Sequence, residues 1–386
     1  MSVFDWFILI SSLIGIVGYG IYKTKGTQDK DSFLKGNHNS KWWAVCLGVM
    51  ATQASGITFI STPGQGFSDG LRFVQFYFGL PIAMLIISVV FIPVFFKSGI
   101  YTAYEYLEKR YDLKTRLLTS LLFMIQRGLS AGITLYAPSI ILSALFGWSF
   151  KIMVLITGLI VILYTVSGGA KAVSKTQTLQ MLVMLLGMAF IFIIILIKLP
   201  GINIHQAFQI AGWSDKMNTV NFHFDLKDRY NFWSGIIGGG FVALAYFGTD
   251  QSQVQRYLGG QSVTQSRLGL IMNGILKIPM QFFILLTGVM VFVFYQFNQS
   301  PAFFNHQVEK KVLTSQYKAQ YEAKQSELTI IFNEKQNAQS GLLGNADNPE
   351  LRNKIKALDL QEKKVRDETK ALIKQALPNT ETNDRD

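Results

Sequence analysis

Charge is scarce in this chain of 386 residues. Only 16 % of them are Asp, Glu, Lys or Arg, against about 25 % in an ordinary soluble domain. A single cysteine, Cys46, excludes a disulfide framework and leaves too few thiols for a cysteine-based zinc site. The four histidines, His38, His205, His223 and His306, fit no metal-ligand spacing. Neither an HExxH pair nor a nucleophile elbow occurs. Gly64, Gly66 and Gly70 have the wrong spacing for a phosphate loop. These absences point away from an enzyme. No signal-peptide cleavage pattern is found, and the first apolar run is too long, with the wrong flanks, for a cleaved leader.

Hydrophobic residues are abundant, at 49 %, and they lie in long runs. A spanning helix needs about 20 mostly apolar residues. Eight such runs are read: 3–22, 42–66, 73–96, 117–146, 152–167, 178–199, 232–251 and 268–297. The formal net charge of +12 would suit a nucleic-acid binder, but the basic residues fall between the apolar runs. They read as loop charge that sets membrane topology, and no nucleic-acid partner is expected. Loops 23–41, 97–116, 168–176 and 253–267 carry 14 of the 22 Lys and Arg in residues 1–300. By the positive-inside rule these loops face the cytoplasm. The expectation is a multi-pass protein of the cell (inner or cytoplasmic) membrane, with its N-terminus and residues 298–386 outside.

Residues 301–386 hold 14 basic and 13 acidic residues, so this tail is charge-rich but balanced. Two stretches, 306–339 and 349–375, are rich in Ala, Glu, Lys, Gln and Leu, which are good helix formers. The intervening 340–348 contains two glycines, and Asn348-Pro349 suits an N-cap followed by a first-turn proline. Leu351, Ile355, Leu358, Val365 and Leu372 form an apolar stripe. A helical hairpin is expected, with a flexible solvated insert as the other reading and a partner for the hairpin left open. The domains are then 1–297 in the membrane and 298–386 outside it.

Ionisable side chains at membrane depth are costly and mark function by default. Arg127 lies in the fourth run and Lys277 in the eighth. Each needs a counter-charge such as Asp250, a wet cavity or an anionic ligand. The second run is small and polar at its centre, Ala51-Thr52-Gln53-Ala54-Ser55-Gly56-Ile57-Thr58. Such a helix can unwind and offer carbonyl oxygens to a hard cation, or it can simply pack closely against a neighbour. The seventh run passes from Gly238-Gly239-Gly240 to Tyr246 and ends in a polar stretch from Thr249 to Arg256 that includes Gln251.

In order along the chain, several motifs resemble the sodium:solute symporter family. They are Asp5-Trp6, Lys41-Trp42-Trp43, Ala51 to Gly56, Pro63-Gly64-Gln65-Gly66-Phe67, Gly99-Ile100-Tyr101-Thr102, Glu105 to Tyr111, Leu135 to Ser139, Gly168 to Val173 and, most specific, Gly248 to Leu258. They cover residues 1 to about 297. The resemblance implies an all-α membrane protein of the leucine-transporter-like inverted-repeat type, here incomplete, with about eight transmembrane helices and the outer hairpin. It further implies that the first helix of each repeat is broken, and that these are the second and seventh runs.

By the same motif match, Na⁺ is the coupling ion and no other cofactor is expected. The candidate sodium ligands are Ala51 and Ala54, through their backbone carbonyls, and Ser55. The candidate solute contacts are Gln53, Thr58, Tyr77, Tyr246, Gln251 and Lys277. Arg127 joins them from its depth in the membrane alone. Gln53 and Gln177 stand where relatives carry Asp, which counts against a second sodium site. Family members continue with five or more helices, so the chain is expected to be part of a larger protein whose remaining core helices lie C-terminally or in another polypeptide.

The function expected is sodium-coupled symport of a small organic solute, an organic anion in view of Arg127 and Lys277, by alternating access in a lipid bilayer. The alternative is a solute-binding membrane sensor of the same fold that does not translocate.

Overall fold

The computed structural model describes residues 3–24, 40–100, 102–344 and 348–378. Among them the fold is helical, with one isolated bridge between Ser40 and Gly260. Four helical stretches are long and apolar enough to cross a membrane: Gly56–Ser98, Leu113–Phe146, Leu179–Lys198 and Val263–Phe297. Two compact units divide the chain. One comprises Met1–Phe59, Val74–Gly187 and Val220–Phe282; the other comprises Ile60–Phe73, Met188–Thr219 and Phe283–Asp386.

Helix α1 (Val3–Thr24) is the first expected span. The second is broken: α2 (Trp42–Gln53) stops, Ala54 and Ser55 leave the helix, and α3 (Gly56–Asp69) resumes. The third is helical apart from a turn at Phe78 and Gly79, in changing windings. Residues Gly70–Tyr77 are 3₁₀, α4 is Leu80–Ile86, Ile87–Phe91 form a π turn, and α5 is Ile92–Ser98. Pro93 has no N–H to bond the preceding turn, and the wider winding falls just before it. Gly99, at φ +58°, ends α5 in the left-handed conformation that a side chain would strain.

Helix α6 (Ala103–Arg110) is capped by the Thr102 hydroxyl, which accepts from the Glu105 amide at 3.2 Å. Helix α7 (Leu113–Phe146) starts at Asp112, whose carboxylate accepts from Thr115 N at 2.7 Å.

The next element corrects the sequence reading. The expected fifth and sixth spans and the cytoplasmic loop 168–176 are one helix, α8 (Phe150–Lys198), of 49 residues. Residues 168–176 contain no proline, and Ala and Lys favour helix. Two adjacent glycines cost about 1 kcal/mol each, which weakens a helix without ending it. At about 1.5 Å per residue α8 is about 74 Å long, more than twice the hydrocarbon thickness. The side chains of Lys171, Lys175 and the Gly168–Val173 motif, together with Tyr101 and the basic loop 25–39, lie outside the described residues.

Helix α9 (Ile204–Trp213) was not anticipated. A capping box starts it, with Asn203 and Gln206 each accepting from the other's backbone N–H at 2.9 Å. A π turn (Ser234–Gly238) leads into α10 (Gly239–Thr249). Asp250 then turns the chain with extended geometry (φ −72°, ψ 116°) and caps α11 (Gln251–Leu258) through Ser252 N at 2.8 Å. The seventh span is therefore also interrupted. Helix α12 (Val263–Phe297) is the eighth.

In the first unit, α2, α4, α5, α10, α11 and the start of α12 share one core that includes Val49, Met84, Phe95, Phe247, Tyr257 and Leu270. Glycine lets the backbones meet there: a Cβ on Gly235 or Gly239 would run into the carbonyls of Gln75 and Phe76.

In the second unit the expected hairpin is present, with one difference. The stretch 306–339 is two helices, α13 (His306–Leu313) and α14 (Lys318–Gly344), separated where Thr314 and Ser315 turn back on Lys311 and Val312. Helix α15 (Pro349–Ala376) starts at the Asn348 cap and packs along α14. Of the apolar stripe, Ile355, Leu358 and Val365 are buried and Leu351 and Leu372 half-buried, while Ile373, outside the stripe, is buried too.

Candidate binding site at the helix breaks

At the first break the helical hydrogen-bond ladder is rerouted. The Ser55 amide, which would close a turn on Ala51, donates instead to Gln53 O at 3.0 Å. The Thr58 amide donates to Ser55 O at 3.0 Å instead of to Ala54 O, and its hydroxyl donates to Gln53 O at 3.2 Å. Ala51 and Ala54 are both buried. Their carbonyl oxygens thus stand outside the usual helical ladder, and oxygen is the donor that a hard cation takes. Ser55, Gln53 and Thr58 are partly buried around them.

The wall facing this break comes from α12. Gln53 Nε2 donates to Val49 O at 3.3 Å and meets Asn273 Oδ1 at 3.4 Å. One turn beyond Asn273 on the same face stands Lys277. It is 2 % exposed, and its ammonium lies 5.9 Å from the centre of the Tyr77 ring. Among the described residues no carboxylate lies within 4 Å of it. A buried cation left so costs several kcal/mol unless something anionic or wet completes it.

The other candidates gather at the second break. Arg127 on α7 reaches Asp250 at 3.7 Å, so the counter-charge that the sequence offered as one option is the one it meets. Tyr246 Oη accepts from Gln253 Nε2 at 2.8 Å. Gln251 Oε1 accepts from the Ala103 amide at 2.9 Å, and Tyr104 Oη donates to Thr249 O at 3.0 Å. These bonds tie α6 to the turn at Asp250. The contacts therefore fall into two groups: Gln53, Thr58, Tyr77 and Lys277 at the first break, and Arg127, Tyr246 and Gln251 at the second. Asn273 and Gln281 on α12, both fully buried, were missed from the sequence. Their signal was a polar residue every fourth position around Lys277.

The second unit contains a cavity of about 620 Å³. Phe67, Phe292, Tyr295 and Phe304 line its apolar part, and Lys216, Lys356, Asp359, Lys363 and Arg366 are among its charged walls. Lys216 lies 4.9 Å from the centre of the Phe292 ring, and burial pulls its ammonium below the usual lysine range. Gly70, at φ +76°, admits the Lys216 backbone close by, and Leu71 N donates to Lys216 O at 3.0 Å.

Comparison with known proteins agrees with this architecture of interrupted helices. The sequence profile of the sodium:solute symporter family matches residues 33–319, and the chain belongs to that family. It is 33 % identical over 271 residues to sodium-coupled monocarboxylate transporter 1 of Xenopus laevis, which is 70 % of this chain and 43 % of that protein. It is 31 % identical over 297 residues to the human sodium/iodide cotransporter, 76 % of this chain and 45 % of that protein. The chain thus spans less than half the length of these relatives.

A solved structure of a Na⁺-coupled sialic acid symporter, in a substrate-bound outward-open state, superposes with a TM-score of 0.72 at 26 % identity. It covers 97 % of this chain and 82 % of that one. The fold is the all-α, leucine-transporter-like membrane fold, and the relatives are transporters, not enzymes.

Proposed function

We propose that this protein takes part in sodium-coupled symport of a small organic anion by alternating access. The observation that carries this reading is Lys277: a lysine buried beside a broken helix, with no carboxylate among the described residues within 4 Å to neutralise it. Sodium would be held by the carbonyls of Ala51 and Ala54 with Ser55. The solute's anionic group would rest on Lys277, with Gln53, Thr58 and Tyr77 around it. Similarity to monocarboxylate transporters supports a carboxylate as the solute.

A cation and an anion bound side by side stabilise the same conformation, and their shared preference is the coupling free energy. Arg127, Tyr246 and Gln251 act in this reading at the cytoplasmic end. There the Arg127–Asp250 pair holds the second break against α7, and a solute reaching that level would compete with Asp250 for the guanidinium. In this reading the protein sits in the cell membrane, with its N-terminus and the hairpin α14–α15 on the outer side.

The test is uptake of labelled carboxylates, sugars and amino acids into proteoliposomes under an imposed sodium gradient, with potassium as the control. Sodium-driven accumulation of a carboxylate is expected. Sodium-dependent binding without accumulation would favour a sensor of the same fold, and accumulation of neutral solutes alone would refute the anion assignment.

A further inference from the structure

Gln281 lies one helical turn beyond Lys277 on the same face of α12, at a spacing that puts Cβ atoms about 5–6 Å apart. Its side chain is 0 % exposed, and neither its amide nitrogen nor its amide oxygen has a hydrogen-bond partner. Met280, Ile284 and Leu285 beside it in sequence are buried apolar residues. An unsatisfied buried amide costs roughly 1–3 kcal/mol. A leucine there would carry no such penalty. The rest of the ladder is satisfied differently. Asn273 is engaged by Gln53 and Met84, which leaves the Lys277 ammonium and the Gln281 amide as adjacent polar groups without hydrogen-bond partners among the described residues.

We propose that Gln281 is a specificity-determining residue, and that its amide holds a hydrogen-bonding substituent of the solute whose carboxylate rests on Lys277. The proposal rests on the reading of Lys277 as the anion contact. A carboxamide both donates and accepts, so it takes a hydroxyl or a keto oxygen. The site then favours substituted short carboxylates over plain ones. A site built to bond a hydroxyl discriminates strongly against the analogue lacking it, because its own polar group is left unpaired.

The experiment is calorimetric titration of the full chain in lipid nanodiscs, in sodium chloride, with lactate and propionate as a pair that differs by one hydroxyl. Wild type is expected to bind lactate about tenfold more tightly, equivalent to about 1.4 kcal/mol. Gln281→Leu should bring lactate down to the level of propionate and leave propionate within about twofold of its wild-type affinity; Gln281→Asn, with a shorter amide, should keep part of the preference. Thermal unfolding checks the fold, and Gln281→Leu should melt no lower than wild type.

A Gln281→Leu protein that keeps the wild-type ratio, or a wild type with no preference, overturns the role of Gln281 while the anion reading stands. If wild type binds neither carboxylate, or if Lys277→Met leaves both affinities unchanged, the anion reading fails and the proposal fails with it.

Discussion

Two lysines in this chain are almost equally buried, and their surroundings are opposite. Lys335 in the hairpin is 3 % exposed and Lys277 in the membrane part is 2 % exposed. Lys335 Nζ is clamped between Asp359 and Glu362, both at 2.7 Å. Arg366 binds Glu362 from the far side at 3.0 Å. Burial works against the charge on Lys335, but the two carboxylates outweigh it and hold its ammonium above the usual lysine range. Burial likewise opposes ionisation of Glu362, and Lys335 with Arg366 holds its carboxyl below the usual range. Lys277 has no such carboxylate among the described residues. Complete pairing within the chain marks a group that holds the fold together; a missing partner at the same depth marks a group that waits for a ligand.

The comparison breaks most readily at Lys335. Lys335→Ala leaves Asp359 without its ammonium and Glu362 with Arg366 alone, and removing one partner of a buried pair costs about 3–5 kcal/mol. Chemical unfolding of the full chain should show a loss of that size in the transition that melts the hairpin. A loss under 1 kcal/mol would mean the pair is solvated and the contrast false.

Lys277→Met should do the reverse. An uncharged side chain of similar length removes a desolvation cost, so stability holds or rises. Solute affinity meanwhile falls by about 10- to 150-fold, since hydrogen bonds to charged groups contribute about 1.5–3 kcal/mol. A sharp loss of stability with affinity intact would make Lys277 structural, like Lys335.

Arg127 sharpens the contrast, because it is a paired cation in the membrane part. Its side chain is 40 % exposed, so the pair is screened in part. In a double-mutant cycle of Arg127→Ala and Asp250→Ala, stability should show a coupling of about 0.5–1 kcal/mol. Arg127→Ala should also raise half-saturation for solute more than for sodium. Equal loss of both would confine Arg127 to holding the second break.

The smallest effect is in pH. Glu362 is depressed below 4.5, so its contribution is present above that value and is lost as pH falls through the folded-state value. Lys335 is raised above 10.5, so its contribution is present below that value and is lost as pH rises through the folded-state value. Hairpin stability from this cluster should be flat between about pH 5 and 10 and should decline outside it on both sides. A step near pH 7 would point to a group other than these.

Much of this arrangement was legible in the residues. Small and polar residues from Ala51 to Thr58 left a break and close packing both open, and the family resemblance is what favoured the break. Asn348-Pro349 and the stripe from Leu351 to Leu372 foretold α15. Charge made Arg127 and Lys277 visible, and Asp250 was one counter-charge on offer, which Arg127 takes. The structure also departs where local signals are weak. Residues 168–176 read as a basic loop between two apolar runs, yet helix continues through them. The capping pair Asn203 and Gln206 was readable but sat in a stretch taken for a connection. Asn273 and Gln281 went unnoticed because neutral amides cost less in a span than charges do. Only their burial, and for Gln281 the missing partners, sets them apart from ordinary packing residues.

The central claim is that a sodium ion at the first helix break and an anion on Lys277 bind together. It is tested most directly by titrating the chain with a short carboxylate at rising sodium concentration, in wild type and in Lys277→Met. The account predicts that solute affinity climbs with sodium in wild type and is weak at every sodium concentration in the variant. Binding that ignores sodium and survives Lys277→Met would contradict it.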